Sequence, residues 1–177
     1  MSTNIKKLQA EIKASDALHI TSDWLNHAGI EDYFAEELVL TVKAGTPIAE
    51  ICDVLAKNDQ VLPFYIEDKN QSIGAAYANG AQDLSDSVLG AQIVDGSGEL
   101  LNFGGQVMKN VAGYDVARML VGSKGQLAVI TQISFKVMPS QYVGQLKSRP
   151  KTVQRSALRT EIEDRLKTVF DPRGIFN

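Results

Sequence analysis

The chain is poor in the residue types that most often carry disulfide, metal and nucleophile chemistry. Its 177 residues include one cysteine, Cys52, and two histidines, His19 and His27. A single cysteine excludes an internal disulfide and fits a reducing compartment. Neither histidine stands at ligand spacing from a cysteine or a carboxylate cluster, so we expect surface histidines and no metal site. Cys52 has no basic neighbour in the sequence and is predicted to be a core thiol on the buried face of a helix.

Charge and hydropathy exclude further classes of protein. The 18 basic and 21 acidic residues give a net charge of −3, and the basic residues are scattered, whereas nucleic-acid-binding surfaces cluster them. No apolar run approaches the roughly 20 residues of a transmembrane segment, and residues 1–16 lack the apolar core of a secretory signal. The G-x-S-x-G and Walker A patterns are absent, and Gly104-Gly105 lacks the third glycine of a Rossmann fingerprint. We therefore expect a cytoplasmic protein.

Hydrophobic periodicity predicts an α+β domain in which helices and a hairpin are interspersed. Helical spacing predicts helices over 3–14, from Thr46-Pro47 to Lys57 with Thr46 as the N-cap, within 71–81 and over 158–170. Strands are predicted at 17–21 and 38–42, in a hairpin over 89–103 and in a long strand from Gln126. Alternation in the long strand predicts one apolar face, made by Leu127, Val129, Ile133, Phe135 and Val137.

The stretch KNVAGYDVARMLVGSKGQLAVITQ, residues 109–132, places glycines beside polar side chains at the start of a strand. Because glycine has no Cβ, a ligand can approach its backbone closely. The main chain of Gly113, Gly122 and Gly125 could therefore hold a dinucleotide, with Lys109 offsetting phosphate charge and Asn110 bonding to a ring or ribose edge.

The same stretch also has a purely structural interpretation. GSKG is a common kind of turn between a helix and a strand, and Tyr114-Asp115 can cap the helix that follows. The residues alone leave both interpretations open.

Residues 103–139, FGGQVMKNVAGYDVARMLVGSKGQLAVITQISFKVMP, closely resemble the FAD-binding E subunits of bacterial glycolate oxidases. These belong to the vanillyl-alcohol oxidase and p-cresol methylhydroxylase type of flavoprotein. The stretch 37–64 resembles the family's strand, Ala-Gly-Thr-Pro turn and helix, and 166–177 resembles its closing Asp-Pro-x-Gly-Ile-Phe-Asn signature. The resemblance implies an α+β fold with an antiparallel or mixed sheet flanked by helices, like the second subdomain of that family's FAD-binding domain.

The resemblance further implies FAD as the cofactor and a set of residues that contact it. The segment around KNVAGYD would line the flavin, the GSKG glycines would shape a turn, the strand backbone would meet the adenine, and a glycine in QSIGAAYANG would touch the cofactor. No catalytic base is assigned. The residues are Gly74, Lys109, Asn110, Gly113, Tyr114, Asp115, Gly122, Gly125, Val129 and Ile130.

Two parts of the family's pattern have no counterpart, so a shortened relative is expected. The glycine-rich pyrophosphate loop should precede Leu18, and a substrate-covering cap domain should follow the strand that ends at Pro139. In addition, Ala75 and Ala128 stand where relatives carry glycine. We expect a truncated FAD-binding-type domain over 1–139, a linker over 140–153, and a C-terminal helix and tail over 154–177 that pack on the same domain.

Three functional interpretations follow from the resemblance. The first is the FAD-binding subunit of a glycolate-oxidase-like complex, a flavin-dependent oxidoreductase acting on a 2-hydroxy acid with other subunits as partners. The second is a non-catalytic, FAD-free relative that acts as a scaffold or assembly subunit. In the third, another chain supplies the missing subdomain, or the exposed sheet edge pairs with a second copy in a homo-oligomer.

Overall fold

The computed structural model describes residues 3–17, 26–106, 115–148 and 157–176. The predicted strand at 17–21 lies outside the described residues except for Ala17. In chain order the helices and strands are α1 (Thr3–Ala14), β1 (Ile30–Phe34), β2 (Val39–Lys43), α2 (Ile48–Ala56), β3 (Gln60–Val61), α3 (Ile73–Ala78), β4 (Val88–Val94), β5 (Leu100–Gly104), α4 (Val116–Met119), β6 (Val129–Lys136), β7 (Met138–Pro139) and α5 (Ala157–Phe170). Short 3₁₀ turns occupy Leu84–Ser87 and Ser140–Tyr142.

One five-stranded sheet organises the fold. Its strand order is β1-β2-β6-β4-β5, and every neighbouring pair is antiparallel. β3 and β7 form a separate two-stranded antiparallel pair. The predicted α+β class with an antiparallel sheet is confirmed, and β4 with β5 forms the predicted hairpin.

The helices α2, α3 and α4 contribute to the main core on one face of this sheet. Because side chains alternate along a strand, Leu40 and Val42 of β2 point into this core while Thr41 points to the opposite face. Phe135 of β6 is fully buried, and its ring centroid lies 5.9 Å from that of Phe64.

The start of α2 differs from the prediction. The helix begins at Ile48, and its N-cap position is occupied by Pro47, without a side-chain capping bond. The Thr46 hydroxyl instead donates to the Lys43 carbonyl at 2.7 Å and accepts from the Gly29 amide at 2.9 Å. The prediction of Thr46 as the N-cap is therefore wrong, since its side chain ties the turn to the segment before β1.

A β-bulge in β6 corrects the predicted strand face. Gln92 of β4 pairs with Gln132, but the next residue, Ile93, pairs with Ile130, so Thr131 is the extra residue. The bulge reverses the alternation, and Ile130 joins Ile133 in the main core. Val129 lies in a second apolar cluster, so the prediction that it shares a face with Ile133 is wrong.

The second cluster joins the first helix to the end of the chain. Ile5, Leu8 and Ile12 of α1, at the predicted helical spacing, pack with Val94, Val129, Ile175 and Phe176. The Arg173 guanidinium donates to the carbonyls of Ile12 at 3.1 Å and Ser15 at 2.7 Å. These bonds add donors to carbonyls at and just after the C-terminal end of α1, where the Ile12 carbonyl otherwise accepts a long bond of 3.4 Å from the Ser15 amide.

Candidate functional site

Two turns that the sequence singled out lie side by side. The Gly74 amide donates to the Ala44 carbonyl at 2.8 Å, and the Ile73 amide donates to the Thr46 carbonyl at 2.9 Å. A Cβ placed on Gly74 would lie 2.8 Å from both the Cβ and the carbonyl oxygen of Ala44. Glycine is therefore required at position 74 by packing within the protein, whatever else binds there.

Helix α3 begins beside these turns and carries a buried tyrosine near its end. Ser72 caps the helix by accepting from the Ala75 amide at 3.2 Å. The Tyr77 side chain is completely buried, and its hydroxyl donates to the Ala117 carbonyl of α4. Burial raises the pKa of Tyr77 far above its usual value, and the negative charge of Asp115 acts in the same direction. Tyr77 thus stays protonated as a donor throughout the physiological range.

The GSKG turn docks on the C-terminal end of the same helix. The Gly122 amide donates to the Tyr77 carbonyl at 2.9 Å, and the Lys124 amide donates to the Ala78 carbonyl at 2.8 Å. The two backbones approach so closely that a Cβ on Gly80 would lie 3.1 Å from the Gly122 Cα. This close approach restricts position 80, whereas glycine at position 122 is favoured by its left-handed φ of +83°.

The other half of the turn faces open space at Gly125. Gly125 has a φ of +74°, and a Cβ placed on it would meet no atom within 4 Å. The Ser123 hydroxyl is buried and finds no hydrogen-bond partner in the part of the chain that the structure describes, which is costly for a polar group. Lys124, between them, is exposed and adds a positive charge. The open backbone of Gly125 and the exposed cation of Lys124 fit a phosphorylated cofactor, whereas the buried Ser123 hydroxyl is not accessible to one.

Asp115 has a structural role that the sequence left open. It is the N-cap of α4, and its carboxylate accepts from the Arg118 amide at 3.2 Å. The same carboxylate lies 3.0 Å from the Arg118 side chain in an exposed ion pair. The capping alternative for Asp115 is therefore observed.

Val129 and Ile130 occupy the start of β6. Both side chains are buried, so only their backbone is available to a ligand. β2 pairs with β6 only from Gln132 to Lys136, and the Ala44 amide adds one bond to the Thr131 carbonyl at 2.9 Å. Val129 and Ile130 lie beyond the end of that pairing, where a strand backbone can bind an added group.

The remaining predicted contacts, Lys109, Asn110, Gly113 and Tyr114, lie outside the described residues. The chain leads towards them from Gln106, whose amide donates to the Asp32 carboxylate at 2.7 Å and to the Thr41 hydroxyl at 3.0 Å. The described chain resumes at Asp115, the N-cap of α4, and α4 accepts the hydrogen bond from the Tyr77 hydroxyl. The six described site residues thus lie around α3, α4 and the start of β6.

The structure adds residues to the site that sequence reasoning missed. Tyr77, Gly80 and Ser123 hold or line the region, yet they show no motif of their own. The available signal was the run of small residues in AAYANG. One large side chain within such a run indicates that the helix is packed closely against another element at that point. Ala128, a position where the family resemblance implied glycine, is buried, and its methyl group belongs to the main core.

Histidine and cysteine give no competing site in the described part of the chain. His27 is buried, which corrects the expectation of a surface histidine, and burial together with the nearby Lys43 lowers its pKa. His19 lies outside the described residues. Cys52 is half-buried beside the main core, and burial raises the pKa of its thiol, so it is a poor nucleophile. The described residues contain no metal-binding cluster of His, Cys, Asp and Glu.

Fold and site together define an α+β domain whose described site residues lie around a short helix and the start of β6. Residues 6–104, more than half of the chain, match the family described as FAD binding domain. The chain belongs to this family, and the predicted cofactor, FAD, agrees with it.

Two individual relatives also support the family assignment. Over 131 residues the chain is 43% identical to glycolate oxidase subunit GlcE of Escherichia coli, covering 67% of this chain and 37% of that one. Over 115 residues it is 29% identical to D-2-hydroxyglutarate dehydrogenase of Xanthomonas citri pv. viticola, covering 60% and 24%. The chain thus spans well under half the length of each relative. The predicted family resemblance is confirmed.

A solved structure shares the fold. An alkyldihydroxyacetonephosphate synthase superposes with a TM-score of 0.53 at 19% sequence identity, covering 64% of this chain and 21% of that one. At this identity the likeness shows the fold alone.

Among the described residues, no helix is long and apolar enough to cross a membrane.

Proposed function

We propose that the chain is the FAD-binding portion of a flavin-dependent oxidoreductase that acts on a 2-hydroxy acid within a glycolate-oxidase-like complex. The observation that carries the proposal is the GSKG turn, where Gly125 exposes bare backbone beside the exposed cation of Lys124. The 43% identity to a glycolate oxidase subunit supports the substrate class and the complex. FAD, when bound, supplies the capacity to accept a hydride from the substrate.

The residues of the chain bind and orient the cofactor in this proposal. The backbone around Gly125 hydrogen-bonds to it, and Lys124 offsets phosphate charge. The backbone of Val129 and Ile130 meets the adenine end, where β2 no longer pairs with β6. Lys109, Asn110, Gly113 and Tyr114 line the flavin, as the resemblance implies.

We also propose a division of the chain into one domain over 1–139, a linker over 140–153 and a closing segment over 154–177 that packs on the domain. Phe170 supports it, because its ring packs edge-on against Phe103 of β5 with centroids 5.9 Å apart. Ile175 and Phe176 support it as well, since both are buried with α1.

A scaffold function is the second candidate, and a specific observation favours it. Gly74, Gly122 and Asp115 each have a role within the protein that requires no cofactor. A relative that had lost FAD would keep all three.

Visible spectroscopy separates the two candidates. The protein is incubated with excess FAD, passed through a desalting column and examined for flavin absorbance in the protein fraction, with FMN in parallel. Retention of FAD, and weaker retention of FMN because it lacks the adenosine part, would support the flavoprotein. A colourless protein that retains neither flavin but co-purifies with the other subunits would establish the scaffold.

A further inference from the structure

The two edges of the five-stranded sheet are built differently. β1 carries Glu31 and Asp32, and a bulge lies between Ile30 and Asp32 in its pairing with β2. Charges and bulges are the devices by which sheet edges avoid pairing with other chains. β1 is therefore a protected edge.

β5 has none of these devices. Its sequence, LLNFG, contains no charge and no proline, and it pairs with β4 in unbroken register from Gly90 and Gly104 to Val94 and Leu100. Among the described residues, no strand pairs with its outer side. An uncharged and regular edge of this kind offers backbone N–H and C=O groups to another strand.

An exposed apolar strip accompanies this edge. α5 reaches β5 through the contact of Phe170 with Phe103, and both residues belong to the helix-covered side of the sheet. On the same helix, Ile162 is 46% and Val169 is 70% exposed. Seven residues apart, they lie on one side of α5, because two helical turns separate them. The helix beside the unprotected edge thus carries apolar side chains that the described residues do not cover.

We propose that β5 pairs antiparallel with β5 of a second copy of this chain, so that the two sheets join across a two-fold axis. The five residues of β5 are centred on Asn102, which is exposed. A two-fold axis at that position pairs Asn102 with its own equivalent. The Asn102 Oδ1 already accepts from Gln92 Nε2 at 3.0 Å, but an amide oxygen can accept a second bond, so the Nδ2 groups can donate across the axis.

A second copy fits this edge better than a charged partner does. Since β5 bears no charge, two identical edges meet without repulsion. The same axis brings the two α5 helices to one side of the joined sheet, where the strips around Ile162 and Val169 can cover each other. The strand pairing alone buries little surface, and these strips add the apolar area that a stable interface needs.

Opposite charges at Asn102 give a direct test. We expect sedimentation of the wild-type protein at micromolar concentration to show a dimer. Asn102→Lys and Asn102→Glu, each alone, place two like charges across the axis and should raise the dimer dissociation constant at least tenfold. An equimolar mixture of the two variants should restore the dimer, because each interface then holds one charge of each sign.

A matched control is Asn70→Lys, an equivalent substitution at an exposed loop position before α3, which should leave the dimer unchanged. Circular dichroism of each variant checks that the fold is kept. The variant Val169→Lys leaves β5 intact and places a charge in the apolar strip of α5, so it provides a second way to weaken the dimer. A monomeric wild type would overturn the proposal, and so would a dimer that ignores both Asn102 variants. The readout needs no flavin, so failure here is distinct from failure of the proposed function.

Discussion

The Tyr77 hydroxyl donates a hydrogen bond to the Ala117 carbonyl, and through it α3 holds the helix that follows the glycine-rich segment. The carbonyl of the same tyrosine accepts from Gly122 at 2.9 Å. One residue therefore fixes α4 on one side and the GSKG turn on the other.

Replacing Tyr77 with phenylalanine should destabilise the protein by about 1–3 kcal/mol, because the buried Ala117 carbonyl loses its partner. Chemical denaturation followed by circular dichroism measures this change. Tyr142→Phe, at a position 71% exposed, is the control and should leave the free energy of unfolding unchanged. Equal stability of the two variants would show that the bond contributes nothing.

Asp171 should make the stability depend on pH. Burial alone raises the pKa of its carboxyl, but bonds from the Phe176 and Ile175 amides and from Lys167 outweigh burial and hold the pKa below its usual value. A group with a lowered folded-state pKa stabilises the protein above its unfolded pKa, and that contribution is lost as the pH falls through the folded value. Urea denaturation should therefore show stability falling below about pH 4.

The variant Asp171→Asn should lower the free energy of unfolding at pH 7 by about 2–3 kcal/mol, the scale of one charge-assisted hydrogen bond. It should also show a smaller decrease in acid than the wild type. Asp164→Asn, at an exposed position of α5, serves as the comparison. An identical acid response in Asp171→Asn and the wild type would rule out this carboxylate as the cause.

Gly125→Ala should weaken FAD binding about tenfold or more, equivalent to a loss of about 1.4 kcal/mol, because a methyl group would cover backbone that the cofactor approaches. Gly174→Ala is a matched control, since Gly174 has a φ of +64° and similarly open surroundings. Both variants should lose about 1–2 kcal/mol of stability from the left-handed backbone. FAD titration by fluorescence distinguishes them, and equal affinities would remove Gly125 from the site.

Phe135→Ala should destabilise the protein by about 3–5 kcal/mol, because the side chain is fully buried against Phe64. Phe34→Ala, which removes a ring that is 44% exposed on β1, should cost much less. The denaturation midpoints of the two variants give the comparison. Similar midpoints would mean that Phe135 contributes little to the core.

Local patterns predicted most of the helices and strands. The spacing of Ile5, Leu8 and Ile12 predicted α1, and the turn at 95–98 predicted the β4-β5 hairpin. The bulge at Thr131 was not predictable, because it depends on the register between β6 and β4 and leaves no mark on alternation within one strand. Burial of His27 likewise follows from strands distant in sequence.

At the site, too, the sequence alone could not explain the role of each glycine. Sequence reasoning gave Gly74, Gly122 and Gly125 one explanation, a nearby ligand. The structure separates them, because Gly74 is needed for its contact with Ala44, Gly122 has a left-handed backbone packed beside Gly80, and Gly125 faces open space. Tertiary packing decides whether the backbone of a glycine contacts another part of the protein or is open to a ligand. The local sequence does not indicate which.

The bond from Arg173 to the Ile12 carbonyl spans 161 residues. During translation α1 leaves the ribosome long before its partner residues are made, so its apolar face cannot pack with Ile175 and Phe176 until they have been synthesised. Closing so long a loop also carries a larger entropic cost than local contacts do. α1 is therefore expected to dock late, and until then its apolar face stays exposed, which is a feature of aggregation-prone intermediates.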